Sequence, residues 1–429
     1  RHHFHPHFQH LKTIFRHHFH PHFQHLKTIY SYQLFTVFNP RSRKQQDDCD
    51  SDHSTQDDFG TKLVAQECGS PRNSNSVTTP WKKPSQQDST PALKDEFVGL
   101  TNTGLNCSVN VLLQTLYMIP EYKDIIMRYG RKSNLKEMDN SVLYKLYQVF
   151  QNLNSKKEVV RVEEFVQCLK LHHINVEFQM DVEELFRSLM HMIQEEQKCI
   201  NRSVSPAETE VEETNIFSFT TEEHTVCSEC ESEFTQKEEM LNIPLSLHNP
   251  ACDTPYESIE KSFEAFFSYH QLDQENAFYC DKCEWKTKTK QQCRMAYFPK
   301  VLCFQLKRFG YSTNLRKSVK ISDSMTFPER CKISNKHRGQ EDESIYDLFS
   351  VIVHRGTAYF GHYYAYIRHL PEREWYYFND EIVTKASWKD IEISFGLSKH
   401  SYLGDDCVGT AYLLFYKKAK EITSPRCDA

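Results

Sequence analysis

The 429-residue sequence shows no apolar run long enough to cross a membrane and no secretory leader. Neither a membrane protein nor a secreted one is therefore expected. The 15 cysteines are an odd number, which does not suit a framework of paired disulfides. We expect the protein in a reducing compartment, the cytosol or the nucleus, with no membrane partner.

The sequence also has no long basic run, and its formal net charge is -6 with histidines neutral. Proteins that coat nucleic acids need a cationic surface to neutralise phosphates, so we expect no nucleic-acid partner. The charge balance favours a protein or a small molecule as the partner.

Large apolar side chains are scarce at the start of the chain. Residues 1–14 recur at 16–29 as a histidine-rich tandem copy, but the tract has no thiol ligands and no buried face for a metal site. Residues 40–94 are mostly small and polar, and they cannot offset the entropy lost on ordering. We predict a disordered leader over 1–94, a folded domain over 95–418 and a polar tail over 419–429.

A lone cysteine, Cys107, stands where a loop gives way to a predicted helix. Apolar residues recur at helical spacing after it: Val109, Leu112, Leu113, Leu116 and Tyr117. Asn106 is a residue type favoured at an N-cap, and a helix N-terminus favours the reactive thiolate. Gly99 and Gly104 permit tight turns, and the Asn102 amide could donate to an oxyanion. The alternative is a buried structural cysteine.

Helical patterns dominate up to about residue 198, and short alternating segments follow from about Phe217. The best-signalled later helix starts at Asp181, where Asp181 and Glu184 have the spacing of a capping box. Helices followed by strands predict an α+β fold.

Two C-x-x-C pairs lie in the strand-rich part, Cys227 with Cys230 and Cys280 with Cys283. Each pair can present two sulfurs to one ion, and two pairs complete a tetrahedral zinc site. Four thiolates leave no open position, so the zinc would be structural. The alternative is four unrelated reduced cysteines.

The residues that could serve Cys107 lie near the end of the chain. Residues 348–354, 362–369 and 375–378 predict antiparallel strands, and a constant index sum of 741 brings His362 next to Asn379. Asp380 would point to the opposite face if the strand continued. A thiolate, an imidazole base and an orienting amide make the Cys-His-Asn arrangement of papain-like proteases.

These motifs resemble, in order, the ubiquitin-specific protease family over about residues 97–417. The matching stretches are Gly99-Leu100-x-Asn102-x-Gly104-x-x-Cys107-x-x-Asn110-x-x-Leu113-Gln114, Gln179-x-Asp181-x-x-Glu184, both C-x-x-C pairs, Leu306-Lys307-Arg308-Phe309, Gly361-His362-Tyr363, Trp375-x-x-Phe378-Asn379-Asp380 and Ala411-Tyr412-x-Leu414-x-Tyr416. The resemblance implies a papain-like fold with a helical thumb, a β palm and zinc-stapled fingers that hold ubiquitin.

By the same resemblance, Cys107 is the nucleophile, His362 the general base, Asn379 the third member and Asn102 the oxyanion donor. Three further residues would line the cleft for the ubiquitin tail: Gln179, Asp181 and Gly361. Asp181 could equally serve as a helix cap alone. The implied activity is a deubiquitinase that hydrolyses the isopeptide bond at the ubiquitin C-terminal glycine, with ubiquitin and ubiquitinated proteins as partners.

Three residues depart from the family pattern. Asn106 and Ser108 flank the cysteine where Thr and Tyr are usual, and Phe360 replaces the first of two glycines before His362. Phe360 and Ser108 suggest a ubiquitin-like modifier as an alternative substrate. Asn106 and Ser108 leave open an inactive ubiquitin-binding scaffold of the same fold.

Overall fold

The computed structural model describes residues 97–131, 140–155, 158–174, 176, 180–202, 215–250, 252–273, 276–312, 315–337, 340–397 and 408–419. The predicted leader and polar tail lie almost wholly outside these residues and stay predictions. So does Gln179, whose predicted contact with the substrate has no described geometry. Among the described residues, no helix is long and apolar enough to cross a membrane.

The first described part is helical. Its helices are α1 (Cys107–Tyr117), α2 (Pro120–Gly130), α3 (Val142–Ser155), α4 (Glu163–Leu171) and α5 (Val182–Arg202). Helix α1 is buried along its whole length, because helices pack on one side of it and strands on the other. The sequence did not predict α2, which begins with a proline at a first-turn position where proline's missing N–H costs nothing.

The later part is built of strands with two short helices, α6 (Ile259–Phe266) and α7 (Trp388–Glu392). The strands are β1 (Phe219–Cys227), β2 (Glu233–Met240), β3 (Ile243–Leu245), β4 (His270–Leu272), β5 (Phe278–Cys280), β6 (Trp285–Thr287), β7 (Thr289–Met295), β8 (Val301–Leu306), β9 (Phe309–Ser312), β10 (Lys317–Lys320), β11 (Arg330–His337), β12 (Gln340–Gly356), β13 (Gly361–His369), β14 (Glu374–Asn379), β15 (Ile382–Ala386) and β16 (Gly409–Lys418). Helices first and strands later confirm the predicted α+β class.

The largest described sheet has the order β15-β14-β13-β12-β16-β8-β3, with β11 added beside β12. Its pairs are antiparallel except β3 with β8. One face packs against α1 and the other helices through residues such as Ile352, Ala365 and Phe415. The other face has its own apolar cluster, which includes Leu306, Val351 and Leu414. The sheet therefore has a core on each face.

A second described sheet, β2-β1-β7-β4, carries the first C-x-x-C turn at the end of β1, and the separate β5-β6 hairpin carries the second. Strand β2 is exposed along nearly its whole length. Because β2 is so exposed, a large apolar core cannot hold this second sheet in place. A metal bound by the two C-x-x-C turns would stabilise it.

Arg308 joins segments beneath the large sheet. Its side chain is 0% exposed, and its guanidinium donates to four backbone carbonyls. The acceptors are the oxygens of Ala411 at 2.6 Å, Ile321 at 3.0 Å, Asp323 at 2.9 Å and Phe395 at 3.0 Å. Arg308 thus ties β16 to two loops, and it explains structurally why this motif contains an arginine.

Candidate active site

Cys107 is the first residue of α1, at the positive end of the helix dipole. Asn106 occupies the N-cap position, as its residue type suggested, but its side chain makes no capping bond. Its amide instead donates to the Thr101 carbonyl at 3.2 Å, because the preceding loop folds back over the helix start. Asn110 donates to the same carbonyl at 3.1 Å. Asn106 therefore braces the loop.

The loop that precedes Cys107 is pressed against the end of β14. A Cβ on Gly99 would lie 2.3 Å from the Glu381 carbonyl oxygen, so no larger residue fits. The Leu100 N–H donates to the Asp380 carbonyl at 2.8 Å. Among the described residues, no atom lies within 4 Å of the position that a Cβ on Gly104 would take. Close packing therefore does not require a glycine there.

His362 and Asn379 meet as predicted, although the predicted register is wrong by two. Strands β13 and β14 pair Ala365 with Phe378, an index sum of 743 rather than 741. A shift of two keeps every side chain on its face, so the diagonal contact survives. The Asn379 Oδ1 accepts from His362 Nε2 at 2.5 Å. In the neutral ring this bond keeps the hydrogen on Nε2, so Nδ1 is the ring atom that can serve the cysteine.

The structure brings Cys107 into hydrogen-bonding contact with His362. That contact is the largest cause that raises the pKa of the His362 imidazole to about 9, and the Asn379 hydrogen bond and the Asp380 charge add to it. Burial acts in the opposite direction. The imidazole therefore carries a proton at neutral pH, as expected for the partner of a thiolate.

Asp380 also faces the site; the opposite orientation was expected only if β14 continued through this residue, and it does not. Strand β14 ends at Asn379, and Asp380 adopts a left-handed conformation with φ 50° that turns its side chain back. Its Oδ2 accepts from Asn102 at 2.9 Å and lies 3.7 Å from His362 Nε2. Its Oδ1 accepts from Asn110 at 2.8 Å. Asp380 thus clamps the loop, the helix and the imidazole together.

Sequence reasoning missed this role because alternation along a strand holds only while the strand continues. Aspartate and asparagine tolerate positive φ better than most residues, which is the signal that could have marked the strand end.

Asn102 lies close to the site, and both ends of its amide are engaged. Its Nδ2 donates to Asp380, and its Oδ1 accepts from the Gly104 N–H at 3.0 Å. An amide nitrogen carries two hydrogens, and the Asp380 bond uses one. One donor therefore remains for an oxyanion.

Asp181 caps α5, as its position before the helix suggested. Its Oδ1 accepts from the N–H of Glu183 at 2.8 Å and of Glu184 at 3.4 Å. Its Oδ2 accepts from the Tyr412 hydroxyl at 2.7 Å. Burial raises the pKa of Asp181 to about 6, and the Tyr412 hydrogen bond limits the rise.

Gly361 ends the tight β12–β13 connection. A Cβ there would lie 2.2 Å from the His354 side chain, so packing alone requires glycine. The preceding Phe360 is 79% exposed. Its neighbour Tyr359 is held against β10, because its hydroxyl oxygen accepts from the Ser318 N–H at 3.0 Å. An exposed phenyl group therefore lies two residues before His362 in the sequence.

The four paired cysteines converge. Their sulfurs all lie within 4.8 Å of one another. The Sγ atoms of Cys227 and Cys283 are 3.9 Å apart, and those of Cys230 and Cys280 are 3.6 Å apart. Zn–S bonds of about 2.3 Å in a tetrahedron require sulfurs about 3.8 Å apart. The cluster therefore has the size and donor set of a four-thiolate metal site.

The sequence pattern of the family described as ubiquitin carboxyl-terminal hydrolase matches residues 98–416, which include every described part of the site. The chain belongs to this family. Membership agrees with the papain-like α+β fold and places the chain among cysteine-type hydrolases.

Individual family members are only moderately similar in sequence. Ubiquitin carboxyl-terminal hydrolase 47 of Drosophila melanogaster is 26% identical over 393 residues, which cover 75% of this chain and 25% of that protein. Ubl carboxyl-terminal hydrolase 18 of Mus musculus is 29% identical over 331 residues, 75% of this chain and 86% of that protein. The human hydrolase 18 is 27% identical over 337 residues. The chain thus spans about a quarter of the hydrolase 47 relatives it matches and most of the hydrolase 18 relatives.

Proposed function

We propose that this chain is a thiol-dependent deubiquitinase that hydrolyses the isopeptide bond after the C-terminal glycine of ubiquitin. The observation that carries the proposal is the Cys107–His362–Asn379 arrangement inside a family of ubiquitin carboxyl-terminal hydrolases. Cys107 is only 4% exposed, whereas the His362 side chain is 40% exposed. A thiol with so little exposed surface can be reached by a narrow peptide tail that has no side chain at the scissile bond. A modifier that ends in glycine has such a tail.

In the proposed reaction, the Cys107 thiolate attacks the glycine carbonyl carbon, and the C–N bond to the lysine breaks. The His362 imidazolium gives its proton to the leaving amine, and a thioester remains. Water then attacks the thioester while His362 takes a proton from the water. The C–S bond breaks, which releases the modifier carboxylate and restores the thiolate. The balance needs one water and no other reactant.

The supporting residues act on geometry and charge. Asn379 orients the imidazole, and the free hydrogen of Asn102 Nδ2, with backbone N–H groups at the start of α1, stabilises the oxyanion. Asp181 offers negative charge to a cationic tail. Gly361 and Gln179 keep the cleft roles that the family resemblance implies.

A ubiquitin probe with a C-terminal electrophile tests the proposal. The expected result is one covalent adduct on Cys107, absent in Cys107→Ala, together with turnover of a fluorogenic ubiquitin substrate. Folded protein that forms no adduct and gives no turnover would refute the activity. Ubiquitin binding without turnover, measured by calorimetry, would identify an inactive scaffold instead.

A second candidate substrate is a ubiquitin-like modifier. Exposed Phe360 beside His362 favours it, as do relatives named Ubl carboxyl-terminal hydrolase. Competition between ubiquitin and ubiquitin-like probes for Cys107 decides between them. A Phe360→Gly variant should then shift the preference toward ubiquitin if the phenyl group selects the modifier.

We also propose that Cys227, Cys230, Cys280 and Cys283 hold one structural zinc ion. The sulfur separations and the all-thiolate donor set support it. The two C-x-x-C turns have the same backbone geometry. The residue after the second cysteine of each pair, Glu231 or Glu284, has a positive φ and donates its N–H to the carbonyl of the first cysteine. Such a site needs reduced thiols, which supports a location in the cytosol or nucleus.

A further inference from the structure

A directed chain of hydrogen bonds runs from the large sheet to the start of α5. Gln305 on β8 donates its Nε2 hydrogen to the Tyr412 hydroxyl oxygen at 3.0 Å. Tyr412 on β16 donates its own hydrogen to Asp181 Oδ2 at 2.7 Å. An amide nitrogen only donates and a carboxylate only accepts, so the direction of the hydroxyl is fixed at both ends.

Asp181 keeps acceptor capacity beyond these contacts. Within the part of the chain that the structure describes, its Oδ1 accepts from two backbone N–H groups of α5, and its Oδ2 accepts from Tyr412. A carboxylate offers about four lone-pair positions, so about one remains on Oδ2. Part of the residue's surface is exposed.

The surroundings of Asp181 link it to the reacting groups. Tyr363 follows His362 in sequence, lies with its ring centre 6.3 Å from that of Tyr412, and interacts electrostatically with both Asp181 and Cys107. Among the described residues, the charged group that acts on the carboxylate is Glu183 on α5, which pairs with Arg187 at 2.8 Å. The groups that face Asp181 from β13, β16 and α5 are thus two tyrosines and an acid.

We propose that Tyr412, oriented by Gln305, is a positioning residue that holds the Asp181 carboxylate in place for a cationic side chain in the modifier's tail. The inference rests on the proposed function for its substrate. Without the hydroxyl, Oδ2 loses the partner that fixes its direction. The ionised form also loses a hydrogen bond that favours it, so less carboxylate is charged near neutral pH.

Strand β16 offers a matched control. Tyr416 is buried on the same strand, and its hydroxyl also donates at 2.7 Å, to the Pro328 carbonyl away from the cleft. Tyr412→Phe and Tyr416→Phe therefore each remove one buried hydroxyl and keep the ring. Only the first is expected to change substrate use.

Steady-state hydrolysis of a ubiquitin or ubiquitin-like substrate gives the first readout. We expect Tyr412→Phe to raise KM about tenfold with kcat within about twofold, because a contact remote from the reacting bond contributes equally to ground and transition states. Gln305→Leu should act in the same direction and more weakly. Tyr412→Phe added to Asp181→Asn should cost nothing further. Equal KM values for Tyr412→Phe and Tyr416→Phe would overturn the inference.

A titration that needs no substrate gives the second readout. In protein labelled with ¹³C at aspartate carboxyls, the resonance missing in Asp181→Asn identifies Asp181. We expect its midpoint to rise by about one unit in Tyr412→Phe and to stay unchanged in Tyr416→Phe. An unmoved midpoint refutes the role of Tyr412 even if the wild type hydrolyses ubiquitin, and a shifted midpoint supports it even if the modifier proves to be another. Should Tyr412→Phe fail to fold, Gln305→Leu decides by the same two measurements.

Discussion

Replacing Asp380 with asparagine tests the clamp at the active site by changing a single atom. Asparagine tolerates the left-handed backbone at φ 50°, whereas alanine would add strain there. The two side-chain groups that Asp380 binds are both amide donors, on Asn102 and Asn110. An asparagine can accept from only one of them and must turn its own N–H₂ toward the other.

The expected cost follows from these contacts. One charge-assisted hydrogen bond is lost, worth about 1.5 to 3 kcal/mol. The carboxylate 3.7 Å from the His362 ring nitrogen also disappears; its attraction for an imidazolium is about 4 kcal/mol at an effective dielectric constant near 20, and less with solvent at the half-open ring. A net loss of about 2 to 4 kcal/mol in the transition state lowers kcat/KM about 30- to 900-fold.

The assay is hydrolysis of a fluorogenic ubiquitin substrate at neutral pH, with the melting temperature measured on the same samples. Asp347→Asn is the matched control, because Asp347 also accepts two side-chain N–H bonds. Both come from Arg330, its partner across β11 and β12, rather than from the loop and helix of the site. The control should stay within about twofold of wild type. If folded Asp380→Asn keeps a third or more of wild-type activity, the clamp does not support catalysis and our reasoning fails.

Three further outcomes are expected. Arg308→Met removes the guanidinium that donates to four carbonyls, of which the Phe395 oxygen still accepts from the Met325 N–H. Urea denaturation should therefore show a loss of about 3 kcal/mol, and a loss below about 1 kcal/mol would contradict the bonds. Metal analysis should return about one zinc per chain. Cys283→Ser should lose the zinc and melt at a lower temperature, whereas Cys252→Ser should do neither, because Cys252 is exposed and lies outside the four-cysteine cluster. Folded wild-type protein without metal would disprove the site. Isopeptide hydrolysis should decline as pH rises through about 9, because His362 then loses the proton that the leaving amine needs. Alkylation of Cys107 needs no such proton and should show no decline, and Asn379→Ala should move the decline to lower pH; identical profiles would contradict the assignment.

The sequence was sufficient where a pattern is local and repeated. The apolar spacing after Cys107 predicted α1, and the paired cysteines predicted a four-sulfur cluster that the structure brings together. The order of helices and strands predicted the α+β class. The helix and each cysteine pair depend on residues within a few positions of one another, so local spacing records them. That the two distant pairs meet followed from the four ligands that a structural zinc requires.

The sequence was insufficient where a strand end or a distant partner decides. Asp380 faces the site only because β14 stops one residue earlier, and no periodic pattern marks that residue. The register of β13 with β14 was wrong by two because the connecting turn was placed one residue too early. The Asn106 side chain donates to the Thr101 carbonyl of the preceding loop and does not cap the helix. That contact depends on how the loop packs against α1, which local sequence does not reveal.

The distance along the chain between the parts of the site has a consequence for synthesis. Asn102 and Asp380 are hydrogen-bonded across 278 positions, and Asn110 and Asp380 across 270. Contacts so far apart form late in folding, since most of the intervening chain must be ordered first. Synthesis adds Cys107 well before His362, Asn379 and Asp380. Until those three residues emerge from the ribosome, the nascent chain carries a nucleophile that has no base, and the proposed hydrolysis can begin only after they have folded onto α1.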